Sequence, residues 1–263
     1  MSHWQSFDPR LRDWFERAVG APTAVQRLVW PVIADGEHVL LSAPTGAGKT
    51  LAACLWALNQ LCTAAWDPDR LRVVYVSPLK ALGSDIERNL RGPLQALQQE
   101  MGEDARRVHL AVRSGDTDPR ERARMARRPP AMLVTTPESL NLLLASRQWR
   151  HHFDGLRQII VDEVHAVADS KRGTWLMNAI EGLSERAGDV QRVALSATVR
   201  PLDRVADLLG GRQRIGADHY RHRQVRVLVT GERRIPELRI EGLPGAPQDP
   251  HGRDERDPDA FWQ

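Results

Sequence analysis

The chain has 263 residues, 41% of them hydrophobic and 27% charged, with a formal net charge of +3. This is the balance of a globular protein holding one large domain or two small ones, and it excludes a disordered or fibrous chain. No apolar run approaches the roughly 20 residues of a membrane span, and the amino terminus lacks the basic-then-apolar pattern of a signal segment, so a soluble, cytoplasmic protein with no membrane partner is expected.

Leu11, Trp14, Phe15, Ala18 and Val19 fall at helical spacing, and a second helix is expected over 23–34, before the turn at Asp35 and Gly36. Thr23 and Gln26 have the spacing of a capping box. From His38 onward, short β-rich runs at 38–42, 71–77, 108–113, 131–135, 156–162, 191–196 and 224–229 alternate with helical segments at 51–61, 86–101, 137–145, 174–187 and 201–209. Such alternation predicts an α/β fold, a mostly parallel sheet with helices on both faces. Cys54 and Cys62 lie in one of these helices without a His or Cys neighbour at metal-ligand spacing, and read as reduced packing residues. The arginine-rich run from Arg120 to Arg128 is partly offset by Asp116, Asp118 and Glu121 and reads as a solvated helix face. Beyond about residue 230, Pro, Gly and charge dominate, as in a linker or disordered tail. A sequence pI of 9.2 is compatible with a polyanionic partner and decides little alone.

Only three of the 37 basic residues are lysines, Lys49, Lys80 and Lys171, and each sits in a motif-like segment. The first belongs to Ala43, Pro44, Thr45, Gly46, Ala47, Gly48, Lys49 and Thr50, which follow a predicted strand and open a predicted helix, the context of a phosphate-binding loop. Gly46 and Gly48 let the backbone approach phosphates, and the N–H groups at the helix start face the anion. Lys49 would reach the β- and γ-phosphates, and the Thr50 hydroxyl would bind Mg²⁺. Ala43 stands where the signature has its first glycine. Gln26, shortly before the loop, either completes the capping box or reads the adenine edge, since a carboxamide both donates and accepts. Asp162 and Glu163 end an apolar strand. A carboxylate there can hold Mg²⁺ while its neighbour orients the attacking water, so Asp162 takes the first part and Glu163 the second.

Pro22-Thr-Ala-Val-Gln26, the phosphate loop, Ser77-Pro-Leu-Lys-Ala-Leu-Gly83, Ser114-Gly-Asp-Thr117, Thr135-Thr-Pro-Glu-Ser-Leu140, Asp162-Glu-Val-His-Ala-Val-Ala168, Ser170-Lys-Arg-Gly173 and Leu195-Ser-Ala-Thr-Val199 follow one another over about residues 10–230. In order and spacing they resemble superfamily 2 helicases of the DEAD/DEAH-box type, in particular the large helicase-related family, in which alanine commonly replaces that first glycine. The resemblance implies a RecA-like P-loop domain of a DNA-stimulated ATPase that uses ATP and Mg²⁺ to move along single-stranded or partly duplex DNA and separate duplexes, in repair. In that scheme Gln26 reads adenine, and His165, Ser196 and Thr198 couple the nucleotide site to the nucleic acid. Pro78, Lys80, Ser114, Gly115, Thr136 and Ser139 form the nucleic-acid face. The hydroxyls of Thr136 and Ser139 and the amides where a helix starts at Pro137 can bind phosphate; Thr136 also fits an ordinary N-cap. Lys171 and Arg172 fit a solvated turn as well as a contact.

Three segments are therefore expected: 1–35, an amino-terminal helical segment with the adenine-reading motif; 36–230, a first RecA-like helicase domain that binds ATP; and 231–263, the tail. A motor of this superfamily has a second RecA-like domain that supplies an arginine finger, a contribution of about 10³ to 10⁵ in rate. No segment after residue 230 is long enough for one, and Gln213-Arg-Ile-Gly216 follows Ser196 too closely to be its motif. The chain by itself is thus expected to bind ATP and hydrolyse it very weakly. Two alternatives stay open: a standalone ATP-dependent module that binds nucleic acid or a partner without motor activity, and an RNA helicase domain, since phosphate contacts do not separate DNA from RNA.

Overall fold

The computed structural model describes residues 3–78, 87–197 and 201–230; the tail expected at 231–263 lies outside them. Among the described residues the alternating pattern becomes nine strands: β1 His38–Ser42, β2 Val73–Val76, β3 Leu110–Arg113, β4 Met132–Thr135, β5 Gln158–Val161, β6 Gln191–Ser196, β7 Arg212–Arg214, β8 Tyr220–His222 and β9 Val225–Val229. Seven of them form one sheet in the order β3-β4-β2-β5-β6-β1-β9, and every pairing in it is parallel. β7 and β8 form a separate antiparallel hairpin.

The central strands are apolar almost throughout because both faces of the sheet are covered. Side chains alternate between two cores, as a two-residue strand period requires. Val39, Leu41, Val73, Tyr75 and Ile160 join Phe15, Trp30, Leu55 and Leu58 from helices Pro9–Ala18, Ala24–Ala34 and Lys49–Cys62. Leu40, Val74, Val76, Ile159 and Val161 point the other way, to Leu140, Ile180 and Leu209 from helices Pro137–Ala145, Lys171–Ala187 and Leu202–Gly210. Trp4 stacks on Trp30 at 4.8 Å, fastening the amino-terminal turn His3–Ser6 to the first core. Cys54 and Cys62 are free and buried, and burial pushes the Cys62 thiol up to about 12, so packing is their part here. Among the described residues no helix is long and apolar enough to cross a membrane.

Two differences from the sequence pattern have local causes. The helix expected over 86–101 begins with a π-helical turn, Glu87–Arg91, and restarts as Gly92–Met101 with proline in its first turn, because Pro93 cannot donate to a preceding carbonyl. The short helix Glu103–Arg107 follows at once. The β7–β8 hairpin is polar and largely exposed, so it carries no hydrophobic period to read. The arginine-rich run forms helix Pro119–Arg127, with Met125 turned inward and the arginines outside, the solvated face expected of it.

β6 also carries an arginine into the interior. The Arg192 side chain is 1% exposed. Its guanidinium donates to Glu181 at 3.0 and 2.9 Å, to the carbonyls of Leu209 and Gly210 at 2.7 and 2.9 Å, and to the Ser184 hydroxyl at 3.0 Å. It thereby ties the sheet to two helices. Arg223 donates to the same Glu181 carboxylate at 3.1 and 3.0 Å. Burial alone would raise the Glu181 pKa, but hydrogen bonds and charge from Arg192 and Arg223 outweigh it and hold the group below its usual range. A depressed carboxylate contributes stability above its unfolded pKa and loses it as pH falls through the folded one. Removing one partner of a fully buried pair costs about 3–5 kcal/mol; Glu181 is a third exposed, so Glu181→Gln should cost about 2 kcal/mol at neutral pH. Urea unfolding at a series of pH values should show the gap between parent and variant closing as the solution is acidified below the carboxylate range.

Candidate active site

Because the seven strands run parallel, all of them end on one edge, where open α/β sheets bind their ligands. β1 leads into the loop at Ala43, β2 into Ser77 and Pro78, β3 into Ser114, β4 into Thr136, β5 into Asp162, and β6 ends at Ser196. Segments 155 residues apart in sequence, as at Ser42 and Ala197, thus meet along one line.

In the loop after β1, Gly46 and Gly48 have φ of +80° and +79°, a left-handed conformation that side-chain-bearing residues rarely adopt. A Cβ on Gly48 would also lie 3.2 Å from Nε2 of Gln26. Lys49 opens helix Lys49–Cys62 and is 8% exposed. Its ammonium donates to the carbonyls of Ala43 at 2.7 Å and Pro44 at 2.9 Å, leaving one of three N–H bonds for another acceptor. Burial lowers the Lys49 pKa, and the nearby carboxylates of Glu163 and Asp162 partly offset this. Gln26 completes its capping box. Its Oε1 accepts the Thr23 N–H at 2.9 Å while its own N–H donates to the Thr23 hydroxyl at 3.3 Å. Its Nε2 faces the loop at Gly48.

Asp162 continues the pairing with β2, its N–H donating to the Val76 carbonyl at 2.8 Å. One carboxylate oxygen accepts the Glu163 N–H at 2.9 Å and the other accepts the phenolic hydroxyl of Tyr75. Burial first, then the Asp162 charge, pushes the phenol well above its usual pKa, so it stays protonated as a donor. Glu163 has a φ of +46°, uncommon for a residue with a side chain, and this turns the chain into the 3₁₀ turn Val164–Ala166. Nδ1 of His165 lies 3.2 Å from Glu163 Oε2, 3.3 Å from the Ser196 hydroxyl and 3.3 Å from the Ala197 N–H. With its lone pair free it accepts from Ala197; with a proton it donates to Glu163. Thr198 lies outside the described residues. Tyr75 escapes sequence reasoning because it reads as one more apolar residue of β2; its only signal is a hydroxyl in an otherwise aliphatic strand.

The expected nucleic-acid face divides. Gly115 is exposed and Ser114 half-buried, while Lys80 lies outside the described residues. Pro78 and Ser139 are buried, Ser139 to 3%. Thr136 caps helix Pro137–Ala145 by accepting the Ser139 N–H at 3.3 Å, and the first turn then packs inward. Two arginines fasten these loops. Arg122 donates to the carbonyls of Thr117, at 2.7 Å, and Gly115. Arg172 forms a two-bond ion pair with Glu138, beside Thr136, rather than standing free in a solvated turn; Lys171, next to it, is exposed. Among the described residues no group of three or more His, Cys, Asp or Glu side chains is arranged around a metal position.

Residues 23–205 match the DEAD/DEAH box helicase family. The Lhr helicase/uracil glycosylase of Escherichia coli strain K12 is 45% identical over 237 residues, which are 85% of this chain and 15% of that protein. The ATP-dependent helicase Lhr-Core protein 2 of Thermococcus barophilus is 44% identical over 210 residues, 78% of this chain and 24% of its own. Among solved structures, the Mycobacterium smegmatis helicase Lhr bound to ssDNA and AMP-PNP matches with a TM-score of 0.75 and 41% identity, over 88% of this chain and 28% of that one. The chain therefore spans between 15% and 28% of the length of these relatives. The fold they share is the RecA-like α/β domain.

The two loop glycines make separable demands. At Gly46 a Cβ would meet nothing within 4 Å, whereas at Gly48 it would crowd Gln26. Gly46→Ala should cost about 1 kcal/mol of backbone strain, and Gly48→Ala should cost more. Urea unfolding of both variants, repeated in a Gln26→Ala background, should show the excess at Gly48 shrinking when the carboxamide is removed.

Proposed function

The chain belongs to the DEAD/DEAH box helicase family, and from that premise we propose that it is the ATP-binding first motor domain of a DNA helicase. The reading rests on one convergence: a left-handed glycine loop opening a helix, its lysine buried beside it, and two carboxylates close enough to act on that lysine's charge.

In this reading the free amides at the start of helix Lys49–Cys62 and the remaining N–H of Lys49 hold the triphosphate, and Gln26 turns its Nε2 toward the adenine. Thr50 and Asp162 offer hard oxygen donors, and each Asp162 oxygen already accepts one hydrogen bond while keeping further lone pairs, a set that suits Mg²⁺. When bound, the ion neutralises charge on the phosphates. Glu163 orients the attacking water. His165, whose single nitrogen meets either Glu163 or the end of β6, carries changes at the nucleotide toward Ser196 and Thr198. Nucleic acid runs across the ends of β2, β3 and β4, held at its phosphates by Lys80, by Ser114 and Gly115, and by the amides where helix Pro137–Ala145 begins. Such contacts give no sequence preference. The ssDNA in the structure of the 41% identical relative supports DNA as the polymer.

Translocation and duplex separation belong to the whole protein in this proposal, and need a second RecA-like domain closing on the same edge with its arginine finger. The domain described here binds ATP and turns it over slowly. Lys49→Ala should abolish binding of a fluorescent ATP analogue, whereas Glu163→Gln should keep it and lose residual hydrolysis. Undiminished binding by Lys49→Ala, or DNA-stimulated turnover above about 1 per second by this chain alone, would overturn the reading. In matched oligonucleotide titrations with ATP present, single-stranded DNA should bind more tightly than RNA; the reverse order would make the domain an RNA motor.

A further inference from the structure

Tyr75 sits in the middle of β2 opposite Ile160 of β5, and Asp162 lies two residues further along. In a parallel pair, residues two apart leave the same face of the sheet, so the phenol and the carboxylate project to one side, with the longer side chain spanning the step. Shape alone does not call for tyrosine: the same strand places Val73 on that face, and phenylalanine would fill the space. What the hydroxyl adds is a donor with the ring 2% exposed. A buried phenolic hydroxyl needs a partner, and the partner here is Asp162. This buried side chain thus holds a carboxylate that the reading above assigns to the metal.

We propose that Tyr75 is a positioning residue for the divalent cation, fixing the rotation of the Asp162 carboxylate so that its free lone pairs face the phosphate loop. Glu163 N–H holds one oxygen and Tyr75 the other; with both held, the carboxylate cannot swing away from the loop when the cation leaves with the product. The inference rests on the nucleotide–Mg²⁺ reading and adds a residue to it.

The test compares parent and Tyr75→Phe by titrating Mg²⁺ into a mixture of protein and fluorescent ATP analogue, with a second series in EDTA. In EDTA the two proteins should bind the nucleotide within about twofold of each other, while the Mg²⁺ concentration that half-saturates the tighter binding should rise about tenfold in the variant, the scale for loss of a group that orients a metal ligand. An unchanged Mg²⁺ midpoint, or equal loss with and without Mg²⁺, overturns the proposal while leaving nucleotide binding in place. A parent chain that binds no nucleotide overturns both. Should Tyr75→Phe fail to fold, 3-fluorotyrosine serves, because the chain has two tyrosines, Tyr75 and the 55% exposed Tyr220, and Tyr220→Phe assigns the two ¹⁹F signals. The Tyr75 signal should shift when Mg²⁺ joins the nucleotide complex and not when nucleotide is added with EDTA; a signal indifferent to Mg²⁺ overturns the proposal.

Discussion

A parallel sheet buried on both faces leaves no surface for chemistry except its ends. Here helices cover both sides of seven strands, so every polar group that must meet solvent is driven to the strand termini, and the shared direction of the strands gathers the carboxyl ends together. The phosphate loop, the Asp162–Glu163 pair and the end of β6 are neighbours for that reason alone. Loop sequence then decides what each end does, and the cores beneath decide only that the ends stay in place.

The legible parts of this site were those whose chemistry is local. Gly46, Gly48, Lys49 and Thr50 announce themselves because a left-handed turn followed by a helix start demands those residue types within a few positions. The sheet was legible for a similar reason, since fully buried strands must be apolar and short. Pairings through space were not. Tyr75 and Asp162 are separated by 87 residues, Glu138 and Arg172 by 34, and Arg122 closes on a loop it follows. Nothing in either member of such a pair points to the other until the sheet order is known. Ser139 is buried although it closely follows the end of β4, because the capped start of helix Pro137–Ala145 folds its first turn back onto the core.

Two residues near the site each present one functional group to more than one neighbour. Gln26 turns the oxygen of its carboxamide to the helix cap and the nitrogen toward the loop at Gly48. His165 presents one nitrogen to three groups and can favour only one side at a time.

The place of β6 has a geometric consequence. It lies between β5, which delivers Asp162, and β1, which delivers the phosphate loop, so the two halves of the site stand two strand spacings apart, about 10 Å. Backbone hydrogen bonds fix that interval, and it cannot be tuned by small adjustments. At its far end β6 is pinned by Arg192 to two helices, while its near end touches both halves. The strand is a gauge block: side chains around it can change what is gripped, but the width of the jaw changes only in whole strands.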